Sequence, residues 1–571
     1  MIRLISYLVG CILVFNGCTE GKKVVAPVQV NAYQYKIQKK VECRNGAVVS
    51  AHPLASEVGV AILKQGGNAI DAAIAIQLAL AVVYPGAGNI GGGGFMVAKL
   101  SNGKPISIDY REKASGNASR NMYLDSNGNP QTSLSRNGHL SVGVPGTIAG
   151  LFAAHKYAKL SFISLIQPAI DLAEKGFVIT EAEARSLNNL QQNFLTFNTV
   201  IPVFVNPQKW KTGDTLFQKD LANTLIRIRD HGQKGFYEGE TARLIVEEMK
   251  RGKGIIDYAD LSSYSAKKRD PVIFDYKGYK VITMPLPASG GILLPQMMNM
   301  VEETPIKKYG FLTWQSVQLM TEIERRAYAD RAKYLGDVDF YKVPVKRLIS
   351  KEYAKDRMKD YEVDKAGNSK ATQAGMIPES METTHLSVYD KDGNAVAVTT
   401  TLNGGYGSGT VVGGAGFLLN NEMDDFSVKP GVPNMYGAVG ADANAILPRK
   451  RMLSSMTPTI VLKDNKPYIV VGTPGGTTIT TSVFQTLVNL LEFDMSAQDA
   501  VNQPKFHHQW LPDEILVEKD FPHNVREKLQ QLGYKITQTA QIGRTELIVI
   551  SPDGKIEAIA DKRGDDHAAG Y

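Results

Sequence analysis

The run Glu382-Thr383-Thr384-His385-Leu386-Ser387-Val388-Tyr389, the turn Asp390-Lys391-Asp392-Gly393-Asn394 and the run Ala395-Val396-Ala397-Val398-Thr399-Thr400-Thr401 decide how this chain is read. Two β-rich segments flank an Asp-Gly turn, which is the pattern of a hairpin. Before them, Lys365 to Glu382 is polar, lacks any period and contains Gly, Asn, Ser and Pro. That composition reads as an exposed, flexible loop. A threonine therefore stands where a loop enters a strand. If the bond Glu382-Thr383 breaks, Thr383 becomes a new N-terminus. Its hydroxyl and its α-amino group then share one residue. An α-amino group titrates near about 7.7–8.0, so it can serve as the base for its own hydroxyl. A threonine ahead of a strand carries no such meaning alone; the rest of the chain supplies it.

Asn403 ends the second strand. Downstream stand Asn421-Glu422-Met423-Asp424-Asp425-Phe426, the loop 430–440 with Tyr436, the pair Ser454-Ser455, and Thr473-Pro474-Gly475-Gly476. Phe506-His507-His508-Gln509-Trp510 and the closing Asp565 to Tyr571 follow. This ordered set resembles the γ-glutamyltranspeptidases (glutathione hydrolases), a family of N-terminal-nucleophile hydrolases, from about Asn45 to Tyr571. The resemblance implies an α+β fold, a four-layer αββα sandwich with Thr383 at the end of a central strand. It implies self-cleavage at Glu382-Thr383 and one interleaved domain built from a large subunit, 41–382, and a small subunit, 383–571. The implied substrates are glutathione and other γ-glutamyl compounds. The γ-glutamyl group would pass through an ester on Thr383 to water, or to the amine of an amino-acid or peptide acceptor. The implied partners are thus small molecules and the two subunits of one precursor. No cofactor is implied.

The same resemblance distributes the site. Thr383 is the nucleophile and Thr401 orients it. Gly475 and Gly476 supply backbone N–H groups to the oxyanion, a task for which glycine permits close approach. Arg111, in Ile108-Asp109-Tyr110-Arg111-Glu112, and Ser454 with Ser455 take the substrate's α-carboxylate; guanidinium and carboxylate can pair through two hydrogen bonds. Asn403, Glu422 and Asp425 take its α-ammonium. Some relatives carry Gln where this chain has Glu422. Tyr436 belongs to a lid over the pocket, and Asp424 is structural. Taken alone, Gly475-Gly476 is a turn, Thr401 a β-branched strand residue, and each charged residue a surface group.

Composition bounds the alternatives. The chain has 571 residues, 43% hydrophobic and 21% charged, with a formal charge of +7. It can bury a large core. The charge is mild for this length and no dense Lys/Arg block occurs, so nucleic-acid binding is not expected. Met1-Ile2-Arg3 is followed by an apolar run from Leu4 to Phe15. That is shorter than the ~20 residues of a membrane span and fits a signal peptide, 1–18. Asn16-Gly17-Cys18 resembles a bacterial lipoprotein cleavage site, with lipid on Cys18, although Phe15 is unusual three residues before the cysteine. A plain signal peptide that contains Cys18 is the alternative. Both make the protein exported, periplasmic or anchored to the outer membrane. Residues 19–40 read as a tether. Cys11, Cys18 and Cys43 are the three cysteines; with the first two in or beside the signal, no internal disulfide framework is expected.

Gly86-Ala87-Gly88-Asn89-Ile90-Gly91 matches the dinucleotide fingerprint, but that motif must follow a strand and open a helix. Here it follows the helical run Asn68–Val83 and leads into the strand-like Gly92–Leu100, so close backbone packing is the expectation instead. The nine histidines show no metal-ligand spacing, and no catalytic metal is expected. His507 and His508 read as structural, and His385 as packing beside the nucleophile. Two rivals remain at this stage. One is an acylase of the same superfamily acting on glutaryl-β-lactams, for which Glu422 and Asp425 would have no ammonium to bind. The other is an uncleaved, exported binding lipoprotein.

Overall fold

The computed structural model describes residues 22–372 and 383–571. Leu4–Phe15, Cys18 and Glu382 lie outside the described residues. The expected hairpin forms with the bounds read from the sequence, Thr384–Tyr389 and Ala395–Thr401. Its register runs from Thr384 opposite Thr400 to Tyr389 opposite Ala395. Asp390 closes the turn: its Oδ1 accepts the N–H groups of Asp392 and Asn394 at 2.9 and 3.0 Å. Gly393 takes φ +82°, a conformation glycine adopts without steric cost.

Ala47–Ser50 pairs antiparallel with the first hairpin strand and Gly93–Lys99 with the second. The hairpin thus occupies the middle of a seven-stranded sheet edged by His567–Gly570 and Lys267–Arg269. A second seven-stranded sheet runs Lys40–Cys43, Ile556–Ile559, Glu546–Ile550, Lys466–Gly472, Thr459–Lys463, Tyr279–Thr283, Val272–Tyr276. The two sheets meet across Val49, Phe95, Val97, Ile282, Ile460, Val470 and Ile548. Pro53–Lys64 and Ala69–Val83 cover the outer face of the first sheet. Gly290–Glu302 and Thr478–Leu491 cover the second, with Trp314–Tyr334 packed behind. The order of layers is α, β, β, α, as the resemblance implied. Hairpin strands covered on both faces have no solvent side, so apolar and polar residues do not alternate there; every residue of Ala395–Thr401 is buried. Each sheet draws strands from both sides of the Thr383 position in the chain.

Asn68 and Asp71 form a capping box at the start of Ala69–Val83, and the whole helix is buried. The glycine run connects that helix to Gly93–Lys99, the reverse of the nucleotide-binding order. A Cβ on Gly92 would lie 2.1 Å from the Thr401 carbonyl oxygen. The missing side chain lets this segment press against the end of the second hairpin strand. Residues 22–40, read as a tether, pack on the globular part instead. Val28 is buried, the Val25 N–H donates to Ser164 Oγ at 3.0 Å, and Tyr35 donates to the Val178 carbonyl. The scattered lysines suggested a solvated segment, but Val25, Val28 and Tyr35 find apolar helix surface. Among the described residues, no helix is long and apolar enough to cross a membrane.

Candidate active site

Thr383 is the residue just before the central strand Thr384–Tyr389 and is 4% exposed. It lines two cavities at once. Thr401 ends the neighbouring strand, and its Oγ1 accepts the Asn403 N–H at 2.8 Å. That bond bends the chain out of the sheet, and Asn403 adopts φ +74°, a region that asparagine tolerates better than most residues. Its side-chain amide donates to the Asn421 carbonyl at 2.9 Å, tying the strand end to the Glu422–Asp425 turn.

The inner cavity is lined by Thr383, Asn403, Glu422, Asp425, Ser454 and Ser455, among others. The structure therefore brings together most of the residues singled out from the sequence. Arg111 projects here from the segment after strand Ile106–Asp109. Its Nη1 donates to Glu422 and its Nη2 to Asp425. Glu112 stands 3.5 Å from Nη1. The groups expected to hold opposite ends of a substrate are thus paired with one another. The cavity left beside them is about 20 Å³, room for about one water.

Three carboxylates crowd one guanidinium in a buried place. Burial pushes Glu112 up to about 7, against the pull of Arg111. Burial raises Glu422 well above the carboxylate range, with Glu112 and Asp425 adding repulsion, and raises Asp425 as well. Burial alone would lower Arg111, but Glu422, Asp425 and Glu112 hold it above its ordinary value. The cluster thus retains a proton near neutrality and still favours a cation.

Two residues that the sequence reading missed adjoin this site: Arg331 lines the cavity, and Glu112 stands against Arg111. Arg331, from the long helix Trp314–Tyr334, donates through Nη2 to Ser455 Oγ and through Nε to Ser289 Oγ, both at 3.2 Å. Buried arginines spaced along a helix, here Arg325, Arg326 and Arg331, were the available signal for Arg331. Glu112 had only its place beside Arg111.

Gly475 and Gly476 follow strand Lys466–Gly472 and precede helix Thr478–Leu491. Their φ values are +138° and +54°. A Cβ on Gly475 would sit 2.4 Å from Thr478 Oγ1, and one on Gly476 would sit 2.7 Å from Tyr436 Cδ1. Neither position accepts a side chain without a shift. Gly475 lines the outer cavity and Gly476 the inner, with Thr383 lining both.

The loop 430–440 closes over the inner cavity. Tyr436 is 4% exposed and its hydroxyl donates to the Asn403 carbonyl. Asn434 donates to Asp425 at 2.9 Å. Asp424 takes no part in the cavity: it accepts from Ser135 and from the Met435 N–H, which anchors the loop. His385 lies between the sheets, within 2.9 Å of Thr399 Oγ1 and 3.2 Å of Ser387 Oγ. Burial drives it down to about 3, so it is neutral and packs beneath the strand. His507 is likewise driven to about 3 by burial and contacts Thr481 at 2.8 Å.

The gamma-glutamyltranspeptidase family model matches residues 55–571. Over 537 residues the chain is 47% identical to the glutathione hydrolase proenzyme of Escherichia coli strain K12, which covers 93% of each chain. It is similar to the solved gamma-glutamyltranspeptidase of Helicobacter pylori at 43% identity and a TM-score of 0.56, covering 61% of this chain and 97% of that one. It is also similar to the cephalosporin acylase of Bacillus halodurans at 26% identity and a TM-score of 0.82, covering 96% and 99%. Matched from residue 55 to its last residue, and at nearly half identity along almost a whole relative, the chain belongs to the gamma-glutamyltranspeptidase family.

Proposed function

We propose that the chain is a self-processing γ-glutamyl hydrolase and transpeptidase acting on glutathione and related γ-glutamyl compounds. In the precursor, Thr383 Oγ attacks the Glu382 carbonyl. The acyl group moves from nitrogen to oxygen, and water hydrolyses the resulting ester. In the mature form Thr383 Oγ attacks the γ-carbonyl of the donor. The α-amino group of Thr383 takes the hydroxyl proton and returns it to the leaving nitrogen. The C–N bond breaks, an ester to Oγ forms, and water or an acceptor amine resolves it. N–H groups at Gly475-Gly476 hold the oxyanion between these steps; one such donor is worth roughly 10²–10³ in kcat.

The observation that carries this reading is the position of Thr383 between Gly475-Gly476 and a pocket where one guanidinium faces two carboxylates. An α-amino-acid head group has the same charges in mirrored form. Its carboxylate replaces Glu422 and Asp425 on Arg111, with Ser454 and Ser455 as further donors. Its ammonium replaces the guanidinium on Glu422 and Asp425, with Asn403 beside it. This exchange makes place for a head group in a pocket that otherwise has room for about one water. The cationic preference of the cluster favours a γ-glutamyl over a glutaryl donor. The test is release of anilide from L-γ-glutamyl-p-nitroanilide by the processed protein, with Thr383→Ala as the blank. Absence of release from the wild type contradicts the reading.

The apolar run Leu4–Phe15 supports export of the enzyme, and Cys18 supports a lipid anchor. Cys18→Ser should move mature enzyme from the membrane fraction to the soluble one. A wild type already soluble, with no lipid at its N-terminus, would leave plain secretion.

A further inference from the structure

The polar stretch that leads to Thr383 reads from its composition as an exposed loop, yet Ser369 within it is completely buried. Each polar group of Ser369 has a partner. Its N–H donates to Asp513 Oδ2 at 2.8 Å, its Oγ accepts from Arg325 Nη1, and its carbonyl accepts from Trp510 Nε1 at 3.0 Å. Just before it, the Gly367 N–H donates to Glu322 Oε1 at 3.0 Å, and a Cβ on Gly367 would lie 2.2 Å from Glu322 Oε2. Glu322 and Arg325 belong to helix Trp314–Tyr334. Arg325 also donates to Asp513 through Nη1, and through Nε to Glu322 at 3.2 Å. One helix and one distant segment thus close on the chain at a single point ahead of the scissile bond.

We propose that Asp513, Arg325 and Trp510 are positioning residues for self-cleavage, holding the chain at Ser369 so that the bond Glu382-Thr383 is presented to Thr383 Oγ. The proposal rests on the self-processing reading of Thr383 and goes on to name what places its bond. The other side of the segment 506–513 shows what Ser369 is held against. Gln509 Oε1 accepts from Thr477 Oγ1, and its Nε2 donates to the Tyr436 carbonyl at 3.3 Å. Thr477 and Tyr436 line the inner cavity together with Thr383 and Gly476. The same short segment therefore touches the oxyanion turn and the covering loop at Gln509, and the chain that enters the site at Trp510 and Asp513.

Its own side chains stiffen it. His508 Nδ1 accepts the Trp510 N–H at 3.0 Å, which leaves the ring proton on Nε2, 3.4 Å from Asp513 Oδ1. The His508 N–H donates to Glu324 at 2.8 Å, and His507 Nε2 lies 3.0 Å from Gln509 Oε1. Burial, with Arg325 adding to it, drives His508 down to about 4, so the ring stays neutral at pH 7. The paired histidines of the sequence are thus props within one strap. Attack of a hydroxyl on a carbonyl needs the two atoms about 3–3.5 Å apart, and a misplacement of about 1 Å can cost about 10²-fold. A strap that holds the incoming chain and the oxyanion turn in one frame supplies that placement. No atom of Asp513, Arg325 or Trp510 enters the acyl shift. Neither Asp513 nor Ser369 lines a cavity at Thr383, so the task ends once the bond is broken.

The experiment follows full-length precursor, made in a short cell-free pulse, as it splits into two chains on a denaturing gel. Tm, and kcat of the split fraction for L-γ-glutamyl-p-nitroanilide, are measured alongside. Asp513→Ala is expected to slow splitting at least about ten-fold. Asp513→Asn, which keeps an oxygen for the Ser369 N–H, should slow it less, and Ser369→Ala by about three-fold or more, the loss of one of three contacts. Once split, each variant should turn over the donor within about two-fold of the wild-type kcat. General damage to the fold would instead lower Tm and would reduce splitting and turnover together. Splitting at the wild-type rate in Asp513→Ala, or a loss of kcat in the split fraction as large as the loss of splitting rate, overturns the proposal. Ser369→Ala removes a single oxygen and decides the matter by the same two readings if Asp513→Ala fails to fold. A wild type that never splits sinks the self-processing reading, whereas splitting indifferent to these variants sinks only this one.

Discussion

Arg111 donates through Nη2 to Asp425 inside a buried pocket, and the same guanidinium holds Glu422 through Nη1. These residues come from distant parts of the chain, one before and two after the nucleophile. Burying an ion pair is costly, and breaking one by removing a single partner typically costs about 3–5 kcal/mol. The arrangement is therefore informative about use: a zwitterionic ligand can take over both halves of the pair without leaving either charge alone.

Loss of either half should hurt the donor step. Arg111→Gln and Asp425→Ala are each expected to lower kcat/KM for a γ-glutamyl anilide by about 30-fold to several-thousand-fold, the range that corresponds to 2–5 kcal/mol. A glutaryl anilide lacks the ammonium. The wild type should use it poorly, and Asp425→Ala should impair it far less than the γ-glutamyl substrate. A wild type that prefers the glutaryl compound would mark an acylase.

Donor binding should depend on pH through the carboxylate cluster. Glu112 sits at about 7 because burial favours its neutral form. An incoming ammonium favours the ionised forms, so binding expels a proton and tightens as pH rises. KM for the donor should fall several-fold between pH 6 and 8 and then level off, while kcat follows the Thr383 amine toward about 8. Glu112→Gln should flatten the KM profile while leaving the pH of half-maximal kcat in place. The same upward shift means that the ligand-free fold is most stable below about pH 4.5 with respect to Glu112. It loses that contribution as pH climbs through about 7. A KM profile equally steep in Glu112→Gln would remove this carboxyl from the account.

Gly476 offers a sharper test of the oxyanion turn. Gly476→Ala combines φ +54° with a Cβ placed 2.7 Å from Tyr436 Cδ1. A fall of roughly 10²–10³ in kcat is expected. Adding Tyr436→Ala removes the ring contact but not the backbone requirement, so the double variant should not recover. Recovery would mean that crowding of the loop, and not the placement of N–H groups, caused the loss.

The parts of this molecule legible in its sequence were those with local signatures. The hairpin was fixed by an Asp-Gly turn between β-rich runs, and the helix Ala69–Val83 by its capping box. The order of elements around the glycine run, helix before and strand after, was also legible and is the order the structure shows. The candidate site residues were singled out through separated motifs in a familiar order, and the fold brings most of them to one cavity. What local pattern could not give was their pairing. Nothing near Arg111 in the chain announces that its guanidinium rests on Glu422 and Asp425, because that contact depends on packing across the sandwich. Arg331 offered only its place among the arginines of one helix; its contacts with Ser289 and Ser455 depend on how that helix packs. The arm 22–40 was misread because a few apolar residues among lysines suffice to dock it.

The central claim is that Thr383 acts as an N-terminal nucleophile. Purified protein run on a denaturing gel, with N-terminal sequencing of the smaller band, tests it most directly. The account predicts two chains, the smaller beginning Thr-Thr-His-Leu, and a single inactive chain for Thr383→Ala. An active wild type that remains one chain, or a Thr383→Ala protein that still splits before residue 383, would contradict it.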